Sequence, residues 1–234
     1  MSRKDLIARK RFAHKVKRLF PETFWTSAIS FYLDGVGFVY KSNPCDEGMA
    51  PRAMEWRKPN EGLSPGCTAK GQKEGTKQAH FIAAISPQKG FVCCEQYLGR
   101  MSGELFAEFV DEHFERVFDN SSNTRSKRFL QDGCPSQNSK KATNAIARKN
   151  ALLFSIPPRS PDINPIENVF HLIKMKLKDD AVEKQITKET FSEFSERCKE
   201  TMLNFSIEAI DRTINSMDKR MTMIIKAKGK RIRY

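Results

Sequence analysis

Four prolines fall within thirteen residues, Ile156-Pro157-Pro158-Arg159-Ser160-Pro161-Asp162-Ile163-Asn164-Pro165-Ile166-Glu167-Asn168. Each fixes its own φ and disfavours α geometry in the residue before it, so the stretch is held extended. It then stops at Asn164-Pro165-Ile166-Glu167. Asn suits an N-cap, Pro suits the first helical position, and Glu at the third completes a capping box. The sequence therefore predicts a stiff lead-in that delivers Glu167 to one place, the first turn of a helix. So rigid a lead-in is more than a cap alone requires.

Two further carboxylates are set up in a similar way. Ser27-Ala28-Ile29-Ser30-Phe31-Tyr32-Leu33 reads as a strand and ends at Asp34-Gly35; Arg128-Phe129-Leu130-Gln131 reads as a second and ends at Asp132-Gly133. Aspartate is a poor strand residue, and in α/β sheets sites form beyond the carboxyl ends of strands. Two Asp at adjacent strand ends and one Glu on a helix make an oxygen-rich cluster suited to hard divalent cations such as Mg²⁺. Two such ions about 3.5–4 Å apart activate the attacking oxygen and stabilise the leaving oxygen of a phosphodiester. Singly, each acid has a plainer reading: Asp34 and Asp132 as turn residues before Gly, Glu167 as a capping glutamate.

Tyr32-Leu33-Asp34, Phe129-Leu130-Gln131-Asp132 and Ser160 to Asn168 occur in that order, with 34 residues between Asp132 and Glu167. In order and spacing they resemble the three motifs of the Tc1-like branch of the Tc1/mariner transposase catalytic domain. The last motif is highly specific, and the first is weak taken alone. The likeness runs over about residues 9 to 180, and more loosely over the helical tail. It implies an α/β, RNase H-like fold: a mixed sheet flanked by helices, with a helical C-terminal extension. It also implies a DDE triad in which Asp34, Asp132 and Glu167 hold two Mg²⁺ or Mn²⁺ ions. The implied reaction is metal-dependent DNA strand cleavage by water, then attack of the freed 3′-OH on target DNA, with no covalent protein–DNA intermediate. The implied partners are transposon ends and target DNA, the implied location is the nucleus, and a homodimer is compatible with it.

The chain departs from the family pattern in places. Where the family often has an acid directly after the first Asp, it has Gly35; where the family tends to have Asn after the second Asp and His four residues later, it has Gly133 and Gln137. Full members begin with two helix-turn-helix modules that read the transposon ends, whereas this chain starts almost at the catalytic domain. That difference leaves a second reading open, a transposase-derived DNA-binding or assembly protein without chemistry. A generic RNase H-like nuclease is disfavoured by the proline-rich lead to Glu167.

The net charge is +13, and it sits at the ends. Residues 1–18 hold eight Lys/Arg and one acid, residues 219–234 hold seven and none, and the stretch between is close to neutral. Such basic arms favour a polyanion, with affinity that falls with salt. Lys226, Lys228, Lys230, Arg231 and Arg233 are the candidate DNA-binding residues, against the plainer reading of a solvated, mobile tail. Either cluster also fits a nuclear localisation signal. No run of 18 apolar residues marks a membrane span. The six cysteines (Cys45, Cys67, Cys93, Cys94, Cys134, Cys198) form no CxxC pair and read as reduced intracellular thiols.

Organisation follows from periodicity together with the resemblance, which supplies the RNase H-like assignment. Residues 1–20 are expected as a basic helix and linker, 21–180 as the RNase H-like unit, and 181–234 as a helical extension with a basic tail. Asp34 is expected to end one strand, with Val36 to Tyr40 a second strand after a Gly35/Gly37 turn. Residues 41–77 are longer than a normal loop and carry Trp56 among Arg52, Arg57 and Lys58, an aromatic-basic cluster that is more simply a packing anchor. His80 to Ser86 and Phe91 to Tyr97 read as a hairpin. Ser102 caps a helix with a Phe-rich face, on which His113 is a core-edge histidine. From Glu167 onward the stripe Ile166, Val169, Phe170, Ile173 and Leu177 is expected to be buried, and His171 on the opposite face is more simply a surface histidine than a support for the site. Thr187 is expected to open the next helix, and Ser206 one continuous helix through Ile224.

Overall fold

The computed structural model of this chain describes residues 1–45 and 77–232. Five strands form a mixed sheet among the described residues: β1 (Phe31–Val39), β2 (Gln78–Ser86), β3 (Gly90–Tyr97), β4 (Arg128–Gln131) and β5 (Leu152–Ser155). Their order is β3-β2-β1-β4-β5. The first three pair antiparallel, while β4 lies parallel to β1 and β5 parallel to β4. The β2–β3 hairpin turns at Pro87 to Gly90, with Gln88 and Gly90 at positive φ. Period-two alternation sends Phe31 and Leu33 to one face and Tyr32, Val36 and Phe38 to the other. The adjacent Cys93 and Cys94 divide the same way.

One face is covered by α3 (Gly103–Asp119) and α4 (Lys140–Arg148), capped by the Ser102 and Ser139 hydroxyls. Phe106, Phe109, Phe114 and Phe118 of α3 pack there with Phe31 and Phe129. The other face is larger. It is covered by α1 (Arg3–Leu19), the short α2 (Phe24–Ser27), α5 (Pro165–Glu183), α6 (Phe191–Leu203), α7 (Ile207–Asn215) and α8 (Met217–Lys226). The expected α5 stripe of Ile166, Val169, Phe170, Ile173 and Leu177 is buried, and His171 is exposed. This is the RNase H-like arrangement. Among the described residues no helix is long and apolar enough to cross a membrane.

Four local expectations are corrected. Asp34 does not end a strand: β1 runs unbroken through Asp34, Gly35 and Gly37, because β2 offers a pairing partner to every residue from Tyr32 to Val39. The helix expected from Thr187 is capped by Thr190, whose hydroxyl and Glu193 form the capping box. The helix expected from Ser206 through Ile224 breaks at Ser216, which caps both α7 and α8. Nor is the C-terminal tail a mobile arm. Residues 227–232 return along α1, with Gly229 buried and its carbonyl bonded to Arg9 Nε at 2.8 Å. The basic count also overstates the free charge at the ends, because Arg9 and Arg220 are buried at 0% and 2% exposure.

Trp56, its basic neighbours and Cys67 lie outside the described residues, as does Arg233. Among the rest, Cys45, Cys93, Cys94, Cys134 and Cys198 are in no disulfide.

Candidate active site

The sheet register fixes where the two aspartates stand. Tyr32 pairs with Leu130 on parallel strands, and two residues further along each strand come Asp34 and Asp132. Pairing on that side stops at Tyr32, β4 ends at Gln131, and β1 continues beside β2 alone. Asp34 therefore lies where the sheet opens, level with Asp132. Tyr32, Leu130 and Ile166 belong to the same core, so Glu167, in the first turn of α5, is carried by the helix on the face that Asp34 shares.

The carboxylates sense one another. Burial first, then the charges of Asp132 and Glu167, push the Asp34 carboxyl well above the usual range. The Gly35 N–H, at 2.7 Å from Oδ1, and the Asn164 amide, at 3.0 Å from Oδ2, pull it back. Glu167 is also raised, by burial and then by Asp132, with Lys174 opposing. Asp132 is half-buried and accepts the Cys134 N–H at 2.9 Å, which turns the chain sharply after β4.

Asn164 corrects the capping expectation. It is the N-cap of α5 by position, but its side chain makes no cap hydrogen bond and the capping box with Glu167 does not form. The amide instead crosses to Asp34, because a buried carboxylate needs a donor more than a helix end does. Its Oδ1 is buried with no hydrogen-bond partner, as are Gln131 Oε1 and Gln137 Oε1 on the Asp132 side.

Among the described residues no group of three His, Cys, Asp or Glu side chains is arranged to enclose a metal ion. The charges of Asp132 and Glu167 act on Asp34, and both oxygens of Asp34 are turned to internal donors. The donor chemistry nevertheless suits a hard cation: the acids offer only oxygen, their charges oppose each other, and an unpartnered amide oxygen lies beside them.

Two features of the site were not foreseen. The Tyr97 hydroxyl reaches to 3.8 Å from the point a Gly35 side chain would occupy, and burial, Cys134 and Asp34 raise its proton affinity. The strand registers hold the signal for this, since Gly37 pairs with His80 and His80 with Tyr97. The second is Asp162, the other acid of the proline-rich segment. Its carboxylate is buried in an ion pair with Arg9.

Comparison with known proteins gives the family and the fold. A family model described as DDE superfamily endonuclease matches residues 46–188, a span that includes Asp132 and Glu167 and leaves out Asp34. The Transposable element Tcb1 transposase of Caenorhabditis briggsae is 25% identical over 140 residues, 60% of this chain and 49% of that protein. The chain thus spans about half the length of this curated relative. The catalytic domain of Mos1 mariner transposase shares the fold, with a TM-score of 0.66 at 14% identity over 100% of this chain and 98% of that one. So does Mos1 transposase in its paired-end complex with left transposon end, with a TM-score of 0.70 at 15% identity over 98% of this chain and 64% of that one. With the family model covering most of the sequence, this chain belongs to the DDE superfamily endonucleases, and it is similar in sequence to Tcb1 transposase and in fold to Mos1 mariner transposase.

Proposed function

We propose that this chain carries out the strand cleavage and strand transfer of cut-and-paste DNA transposition, with Asp34, Asp132 and Glu167 as its divalent-metal ligands. The observation that carries the reading is the register that sets Asp34 and Asp132 level on parallel strands, with Glu167 on the helix across from them. Asp34 and Asp132 would hold both ions, two of Mg²⁺ or Mn²⁺, and Glu167 would hold the second. Bound there, such ions activate the attacking oxygen and stabilise the leaving one. The protein's own part is positional. Asn164 holds Asp34 in one rotamer, the Cys134 N–H holds Asp132, and the α5 stripe fixes Glu167. Residues 21–180 are assigned the chemistry, and residues 1–20 and 181–234 the support of it.

The DNA partners are proposed as transposon ends and target DNA, by likeness to relatives whose structures are transposon-end and strand-transfer complexes. A homodimer would serve two ends at once, and the basic terminal segments would suit a nuclear protein. Lys226, Lys228, Lys230 and Arg231 are exposed and available to phosphates, and Arg233 is assigned the same role from sequence.

The test is DNA nicking in Mn²⁺ by the full chain fused to a DNA-end-binding module. Asp34→Asn, Asp132→Asn and Glu167→Gln are each expected to abolish it. Activity within tenfold of the parent in any one of them removes that residue from the assignment. Salt-insensitive, sequence-specific binding without nicking would favour a repurposed DNA-binding protein.

A further inference from the structure

Asp162 is a junction. Its carboxylate, 4% exposed, receives Arg9 Nη1 at 2.7 Å and Nη2 at 2.5 Å, and the Ile232 N–H at 3.1 Å. Arg9 is fully buried, and its Nε donates to the Gly229 carbonyl at 2.8 Å. The first helix, the 3-10 turn Pro161–Ile163 and the C-terminal tail therefore meet on one carboxylate. The fit is close: Gly229 has φ +87°, and a side chain there would lie 2.0 Å from the Leu6 carbonyl oxygen.

A second strap lies beside it. Arg220 Nη1 donates to the Asp162 carbonyl at 3.2 Å and to Asn168 Oδ1 at 2.9 Å, so it ties the turn to the first turns of α5. The segment from 162 to 168 is thereby held at the Asp162 side chain, at the Asp162 carbonyl with Asn168, and at Asn164 through Asp34. Glu167 lies inside that span. A buried ion pair is a weak source of stability, since apolar packing of similar volume often does as well or better. What a bidentate Arg–carboxylate pair adds is fixed geometry.

We propose that Arg9 and Asp162 are positioning residues for the carboxylate cluster: docking of α1 and of the C-terminal tail on Asp162 sets the geometry of Asn164 and Glu167. The inference rests on the metal-ligand role proposed for Glu167, and two readouts separate the two ideas.

In the first, Mn²⁺ binding to the full chain is followed by electron paramagnetic resonance. Arg9→Lys keeps the charge but loses the fork, and Gly229→Ala dislodges the tail without touching any carboxylate. Both are expected to bind Mn²⁺ at least tenfold more weakly than the parent. Lys17→Gln, which removes an exposed link from α1 to Asp218 on α8, should bind like the parent. Parent-like affinity in both clamp variants overturns the proposal, and so does an equal loss in Lys17→Gln, which would mean general loosening.

The second readout needs no metal. Amide hydrogen exchange in Gly229→Ala should rise at Ile163, Asn164 and Glu167, whose N–H groups bond within the turn. Unchanged exchange there contradicts the coupling even if the parent binds no Mn²⁺, a result that would instead refute the metal role. Should both clamp variants fail to fold, the parent decides. A protected Ile232 N–H supports the clamp, and exchange at the rate of free chain refutes it.

Discussion

Asn164 donates its side-chain amide to Oδ2 of Asp34 at 3.0 Å, across 130 residues of sequence. The residue that by position should cap α5 instead holds the acid in the middle of β1. The start of the Glu167 helix and the strand carrying Asp34 are thus one mechanical unit. Asn164→Ala removes that donor and leaves a buried carboxylate short of a partner, at an expected cost of about 1–3 kcal/mol. Urea unfolding of parent and variant measures it; a difference near zero would mean that the bond contributes nothing to the fold.

The cluster also predicts a pH dependence. The folded-state affinities of Asp34 and Glu167 for protons are raised above their ordinary values of 3.8 and 4.5. The folded chain then binds more protons than the unfolded one as pH climbs past these values, so this contribution to stability falls with rising pH. It is absent below pH about 4 and reaches its full penalty only above the folded-state values. In EDTA, Asp34→Asn should therefore gain on the parent as pH rises from 4 to 8. Parallel stability curves for the two proteins would contradict the raised proton affinity that burial and the neighbouring charges give Asp34.

Burial pushes the Cys93, Cys94 and Cys198 thiols up to about 12. As neutral, covered thiols they should resist alkylation at pH 8, and the half-buried Cys134 should react first among the described cysteines. Mass spectrometry after timed labelling reads the order. Rapid modification of Cys198 in the native protein would mean that α6 does not pack with that thiol inward.

The tail joins two roles that its sequence alone does not separate. Gly229 and Ile232 anchor it, while Lys226, Lys228, Lys230 and Arg231 face solvent. Replacing those four with Gln should weaken DNA binding and lower the log–log salt slope by about 0.9 for each phosphate that the tail no longer neutralises. The melting temperature should barely move. An unchanged salt slope would remove the tail from the DNA surface.

Much of this was legible beforehand, because the signals were local and strong. The α5 stripe, the hairpin at Pro87 to Gly90 and the Ser102 cap are written in short-range patterns that the core has no reason to override. The proline-rich segment announced Glu167 for the same reason. What stayed hidden depends on partners far along the chain. Gly35 and Gly37 suggest a turn until β2 supplies a neighbour for the whole of β1. Asn164 reads as a cap until Asp34 competes for its amide. A Lys/Arg count marks both ends as basic arms, but nothing in the spacing reveals that Arg9 and Arg220 turn inward to Asp162.

The central claim is that three carboxylates brought level by the sheet and α5 hold a divalent cation. Mn²⁺ binding by calorimetry, on the parent, Asp34→Asn, Asp132→Asn and Glu167→Gln, tests it with no DNA present. The account predicts saturable binding by the parent and at least tenfold weaker binding by each variant. A parent that binds no Mn²⁺, or variants that bind it as the parent does, would contradict it.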